Sequence, residues 1–125
     1  MNLNQVTLPV IDFDTSVTFY QRLGLTLIVS ARGEYARFEL PEGHATLSLH
    51  LSETAPQNGP ALYFEVADLD ARYQELLARG IAFEHPPMDQ PWLWREAWLV
   101  DPSGHRLCLY HAGKNRRFPP WRLTG

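Results

Sequence analysis

The sequence predicts an α+β fold: two βαβββ modules, about residues 3–51 and 60–111, whose curved mixed sheets surround a cup. An internal repeat, period-two alternation of apolar residues and two similarly bounded helical segments predict it. Val10-Ile11-Asp12-Phe13-Asp14 aligns with Val66-Ala67-Asp68-Leu69-Asp70 at an offset of 56, and runs without a gap to Leu23-Gly24-Leu25 over Arg79-Gly80-Ile81. Both aspartates and the glycine are identical, while Phe13 meets Leu69, Val17 meets Tyr73 and Tyr20 meets Leu76.

The first module opens with a strand in which Val6, Leu8 and Val10 alternate with Gln5, Thr7 and Pro9. Pro9 lacks an N–H and so argues against a fully paired central strand. Asp12 or Asp14 then caps a helix over about residues 14–23, with Val17, Tyr20 and Leu23 toward the sheet and Gly24 ending it. Strands follow at Leu25–Val29, Tyr35–Leu40 and Thr46–Leu51, separated by turns at Gly33 and Pro41-Glu42-Gly43-His44.

Ser52–Pro60 is polar and turn-forming, a linker between modules. In the second module Leu62, Phe64 and Val66 alternate with Ala61, Tyr63 and Glu65. Asp68 or Asp70 caps a helix with an apolar stripe of Leu69, Tyr73, Leu76 and Leu77, and Gly80 stops it. Strands are expected at Ile81–His85, Trp94–Val100 and Arg106–Tyr110, the last two joined by the turn Asp101-Pro102-Ser103-Gly104.

Composition narrows the function. The 125 residues are 45% hydrophobic and 20% charged, enough for one domain and against a disordered one. Eleven basic residues against 14 acidic ones give a net charge of −3, a poor basis for gripping nucleic acid. A single cysteine, Cys108, excludes an intrachain disulfide and a Cys-paired zinc site. The start lacks a signal-peptide pattern, and no stretch approaches the roughly 18 apolar residues of a membrane span. The expectation is a cytoplasmic protein with no membrane partner.

Alternation also assigns faces. Leu8, Val10, Ala36, Phe38, Leu47, Leu49, Ala97, Leu99, Leu107 and Leu109 belong to the helix-covered side, together with Val6, Leu40, Leu62, Phe64 and Val66. The opposite side carries Gln5, Thr7, Tyr35, Arg37, Glu39, Ser48, His50, Tyr63, Glu65, Glu96, Trp98, Arg106, Cys108 and Tyr110. So many rings among polar groups suit a ligand cleft or a subunit interface better than a solvated face. Trp94, Glu96 and Trp98 recur at strand spacing, with Trp92 in the preceding loop, and form an aromatic wall around a carboxylate. Such a wall suits a planar or cationic organic ligand, although large rings also seal cores and dimers.

The phrases Val10-Ile-Asp-Phe-Asp-Thr-Ser-Val-Thr-Phe-Tyr-Gln-Arg-Leu-Gly24 and Asp101-Pro-Ser-Gly-His-Arg-Leu-Cys-Leu109, with Leu62–Gly80 between them, resemble the vicinal oxygen chelate superfamily, also called the glyoxalase/bleomycin resistance/dioxygenase superfamily. The resemblance covers about residues 3–111. It implies one divalent ion held by the first and last strand of each module in metal-dependent members. Those positions fall on Gln5, Ser48, Ala61 and Cys108, a set unsuited to a hard cation. No inherited metal and no cofactor are therefore expected. A displaced site of His50 with Glu39, Glu65 or Glu96 is the alternative, weighed against a rim histidine and ordinary glutamate pairs with Arg37 or Arg106. His44 and His105 occupy equivalent turns, where exposure is expected, and Cys108 reads as a buried, quiet thiol.

These readings favour a bleomycin-resistance-like binding protein, a homodimer that sequesters a small aromatic or cationic molecule without altering it. Arg37, Glu39, His50, Tyr63, Glu65, Trp94, Glu96, Trp98 and Tyr110 are the candidate ligand-binding residues, with no catalytic residue assigned. The alternative is a glyoxalase-like lyase or isomerase, or an extradiol-dioxygenase-like enzyme, using the displaced metal site. The domain is expected to end near residue 113, followed by a tail over 114–125 that is basic, carries Phe118 and Trp121, and docks on its own domain or a partner subunit.

Overall fold

The computed structural model describes residues 1–124; Gly125, the end of the expected tail, lies outside them. The first module runs β1 (Gln5–Val10), α1 (Phe13–Leu23), β2 (Thr26–Ala31), β3 (Tyr35–Glu39) and β4 (Thr46–Leu51). The second repeats it as β5 (Leu62–Glu65), α2 (Leu69–Ala78), β6 (Met88–Asp89), β7 (Arg95–Val100) and β8 (Arg106–His111), followed by a 3-10 turn, Gly113–Asn115. Each module is a four-stranded mixed sheet, ordered β1-β4-β3-β2 and β5-β8-β7-β6. The first and last strand of each module pair in parallel, and the other pairs are antiparallel.

The repeat is a repeat of local chemistry. Of the two aspartates offered in each copy, the first caps the helix: Asp12 accepts from the Thr15 N–H at 3.3 Å and Asp68 from that of Ala71 at 3.1 Å. At the other end, Gly24 has φ 110° and Gly80 φ 87°, the left-handed conformation that a side chain disfavours. One apolar core spans both modules, joining Leu8, Val10, Tyr20, Phe38 and Leu49 with Leu76, Leu99 and Leu107.

Polar contacts lock the modules together at the turn before β8. Asp101, buried, accepts from the Tyr20 hydroxyl at 2.6 Å and from the Ser103 and His105 N–H groups, each at 2.9 Å. The Ile11 N–H donates to the Ser103 hydroxyl at 3.1 Å. Contrary to the expectation of exposure, His105 is buried, because its Nε2 donates to the Pro9 carbonyl across the module boundary at 2.7 Å.

Other expectations need correction. Ile81–His85 is not a strand; its Glu84 N–H donates to the Trp98 carbonyl, and Pro86-Pro87 then removes two ladder donors before the two-residue β6. β7 starts at Arg95, leaving Trp94 just before it. Leu77, expected in the α2 stripe, is exposed, and so is Val6 on the edge strand β1.

Candidate ligand-binding site

Strand order places the chemistry of the second sheet in two cross-strand rows. Tyr63 on β5 pairs with Cys108 on β8, which pairs with Trp98 on β7. One step along, Glu65 pairs with Tyr110, which pairs with Glu96. The small Cys108 between two large residues leaves room for rings to converge above it. Tyr63 meets Trp94, Trp98 and Tyr110 edge-on, with centroids 6.0, 5.5 and 5.8 Å away. Trp94 stacks on Tyr110 at 4.6 Å with a 19° interplanar angle. Such offset and edge-on pairs are favoured by ring quadrupoles.

The carboxylate beside these rings is buried at 4% exposure. Glu96 Oε1 accepts from Trp98 Nε1 at 2.9 Å, and Oε2 accepts from Trp92 Nε1 at 2.8 Å. Among the described residues it forms no ion pair with a basic side chain. Two neutral donors thus hold a negative charge away from water, and the charge in turn enriches the indole faces with electron density. Arg106 already uses this, with its guanidinium 4.2 Å from the centre of the Trp98 ring. Tyr63, half exposed, and the outer side of Trp94 remain open; beside Trp94 lies a groove of about 500 Å³ lined by Gln90, Leu93, Arg95, His111 and Asn115. A groove of similar size, 490 Å³, runs between α1 and the second module, away from these rings.

Trp92, in the loop before β7, completes the Glu96 pair. It reaches back because Leu93 takes φ 68° and donates its N–H to the Gln90 carbonyl at 3.0 Å. Burial raises the pKa of Cys108, Tyr63 and Tyr110. The Cys108 thiol is pushed up to about 12, first by burial and then by the Glu96 charge, with Arg106 opposing. It is a thiol, not a thiolate, at neutral pH. Tyr63 and Tyr110 also rise, through burial first and then through neighbouring Cys108 and Glu96 for Tyr63 and Glu65 for Tyr110.

The predicted site residues divide. Tyr63, Trp94, Glu96, Trp98 and Tyr110 come together on the second sheet. Glu65 shares that sheet, but its Oε2 accepts from the Ala112 and Gly113 N–H groups at 2.8 and 2.9 Å, with Arg116 Nε 3.8 Å from its other oxygen. It anchors the chain that leaves β8.

On the first sheet Arg37 donates through Nε and Nη2 to the Tyr35 hydroxyl, at 3.0 and 2.8 Å, instead of pairing with a glutamate. That hydroxyl lies 2.8 Å from Ser48 Oγ, which also accepts from Gln5 Nε2 at 2.8 Å. Ser48 foremost, then Arg37, lowers the Tyr35 pKa. Glu39 and His50 are exposed at opposite ends of the β3–β4 ladder, where they face Thr46 and Tyr35. Among the described residues no hydrogen bond, ion pair or ring contact joins this face to the aromatic one.

The side chains at the family's metal positions do not fit a metal. Gln5 spends its amide on Ser48 and Thr46, Ala61 has no donor, and Cys108 is a buried thiol. The displaced set fails too: His50 and Glu39 are on one sheet, Glu65 and Glu96 on the other, and no three His, Cys, Asp or Glu side chains converge among the described residues. No helix there is long and apolar enough to cross a membrane.

Comparison with known proteins places this geometry. The chain is 32% identical over 127 aligned residues to an uncharacterized protein, YraH, of Bacillus subtilis, covering 88% of this chain and 98% of that protein. A crystal structure of a glyoxalase/bleomycin resistance protein/dioxygenase from Nocardioides matches with a TM-score of 0.74 and 27% identity, covering 90% of this chain and 83% of that one. A bleomycin-binding protein solved with bleomycin shares the fold at a TM-score of 0.73 and 23% identity, over 89% of this chain and 98% of that one. The model of the Glyoxalase/Bleomycin resistance protein/Dioxygenase superfamily matches residues 2–109, and the chain belongs to that superfamily.

Proposed function

We propose that this chain binds and sequesters a small organic molecule, one with a planar ring or a positive group, without changing it covalently. The observation that carries the reading is the buried Glu96 carboxylate, held by two indole N–H groups and no cation, beneath a cluster of four rings. A cation placed against Tyr63 or the free side of Trp94 gains attraction from the ring and from the charge behind it. The bleomycin complex of a bleomycin-binding protein with the same fold adds a precedent for binding a small molecule, and protection against an antibiotic in the cytoplasm is part of the proposal. The side chains at Gln5, Ser48, Ala61 and Cys108 weigh against a metal-dependent lyase or oxygenase.

Calorimetry with benzyltrimethylammonium, its uncharged neopentylbenzene analogue and bleomycin tests the reading. Wild type should bind the aryl cation more tightly than the neutral analogue. Glu96→Gln keeps one indole bond but removes the charge, and should weaken the cation more than the neutral analogue. Trp98→Leu should weaken both; loss of a cation–π contact commonly costs about 0.5–2 kcal/mol. Equal affinities across wild type and both folded variants would remove this face from the binding site.

A further inference from the structure

Charge is divided sharply along the chain. All 14 acidic residues lie at or before Asp101, with six of the 11 basic ones, so that stretch carries −8. The remainder has Arg106, Lys114, Arg116, Arg117 and Arg122, no acidic residue, and a charge of +5. The last part is a folded knob. The Phe118 N–H donates to the Lys114 carbonyl at 2.7 Å and that of Arg122 to Pro119 at 3.0 Å. Two guanidiniums lie over the Phe118 ring, Arg122 at 4.4 Å and Arg117 at 5.3 Å from its centre. Yet Phe118 and Trp121 are 54% and 57% exposed. Among the described residues, Lys114, Arg117 and Arg122 form no ion pair.

We infer that the knob of one copy docks on the aromatic face of a second copy, Trp121 and Arg122 entering where a planar cation binds. This rests on the reading of that face given above. The complement is specific in chemistry: a ring and guanidiniums without acidic partners on one side, and the open faces of Tyr63 and Trp94 beside a carboxylate that forms no ion pair on the other. Within one copy Glu65 holds the knob's root through the Ala112 and Gly113 N–H groups and Arg116, and Phe118 and Trp121 stay exposed. A second copy meets the knob as it already stands. Reciprocal exchange closes a two-fold dimer with two identical contacts. A small cation and the partner's knob then compete for one place.

Sedimentation equilibrium of the full chain tests this, with wild type, the combined variant Arg117→Gln/Trp121→Ala/Arg122→Gln, and Tyr63→Ala on the receiving face. The expected result is a wild-type dimer whose dissociation constant rises at least tenfold in each variant and also with added salt. Benzyltrimethylammonium should dissociate the wild-type dimer and bind the knob variant more tightly than wild type. A dimer unchanged in both variants, or a wild type monomeric throughout, overturns the inference. So does a gain in affinity in the knob variant that is independent of protein concentration, which marks closure within one copy. If the aryl cation still binds in those cases, the reading of the face stands and only the docking fails. If it binds no variant and not wild type, the reading of the face fails with it.

Discussion

Glu96 shows what strand spacing can and cannot reveal. Period two puts it on one face with Trp98, which the structure bears out. Its second partner, Trp92, was not legible, because the bond depends on the left-handed turn at Leu93 and not on any period. Glu65 looked like an inward carboxylate for the same parity reason, but its partners are backbone N–H groups of a segment that alternation does not describe. His105 is buried where its turn position suggests exposure, because its partner is the Pro9 carbonyl, 96 residues away. Cys108 yields a prediction at this scale. Its folded pKa of about 12 exceeds the ordinary 9.0, so it contributes stability that is fully present below pH 9 and is lost as pH rises toward 12. Thermal melts from pH 7 to 11 should therefore show a decline beginning near pH 9, shallower in Cys108→Ala. A decline of equal slope in both proteins would contradict the assignment.

At the scale of elements, the helices were the most legible feature, since cap, apolar stripe and terminating glycine all lie within a dozen residues of one another. The matched caps make a quantitative expectation. Asp12→Ala and Asp68→Ala should each cost about 1 kcal/mol of stability, and the double variant should cost their sum within about 0.5 kcal/mol. Urea denaturation checks this; a substitution costing nothing would show that the cap bond at that helix is energetically idle. The least legible element was the strand expected at Ile81–His85. Its residues suit a strand, but the following prolines and the single bond from Glu84 to β7 leave only Met88–Asp89 in the ladder. Alternation is a statement about side chains, whereas a strand also needs a neighbour with donors and acceptors in register.

The whole molecule makes two similar modules into different surfaces. A shared core and the Asp101 turn bind them into one body, but the first sheet presents a hydrogen-bonded patch of Gln5, Ser48, Tyr35 and Arg37, and the second presents rings over a carboxylate. The repeat and the family resemblance made the fold readable from sequence; the division of the nominated residues between faces depended on how the sheets were assembled. The central claim is that ligand recognition belongs to the aromatic face. The most direct measurement follows the tryptophan side-chain N–H signals by nuclear magnetic resonance during titration with benzyltrimethylammonium, using single Trp→Phe variants for assignment. The account predicts saturable shifts at Trp94 and Trp98, with Arg37 and Gln5 side-chain signals unmoved. Saturable shifts confined to Arg37 and Gln5, with the tryptophan signals unchanged, would contradict it.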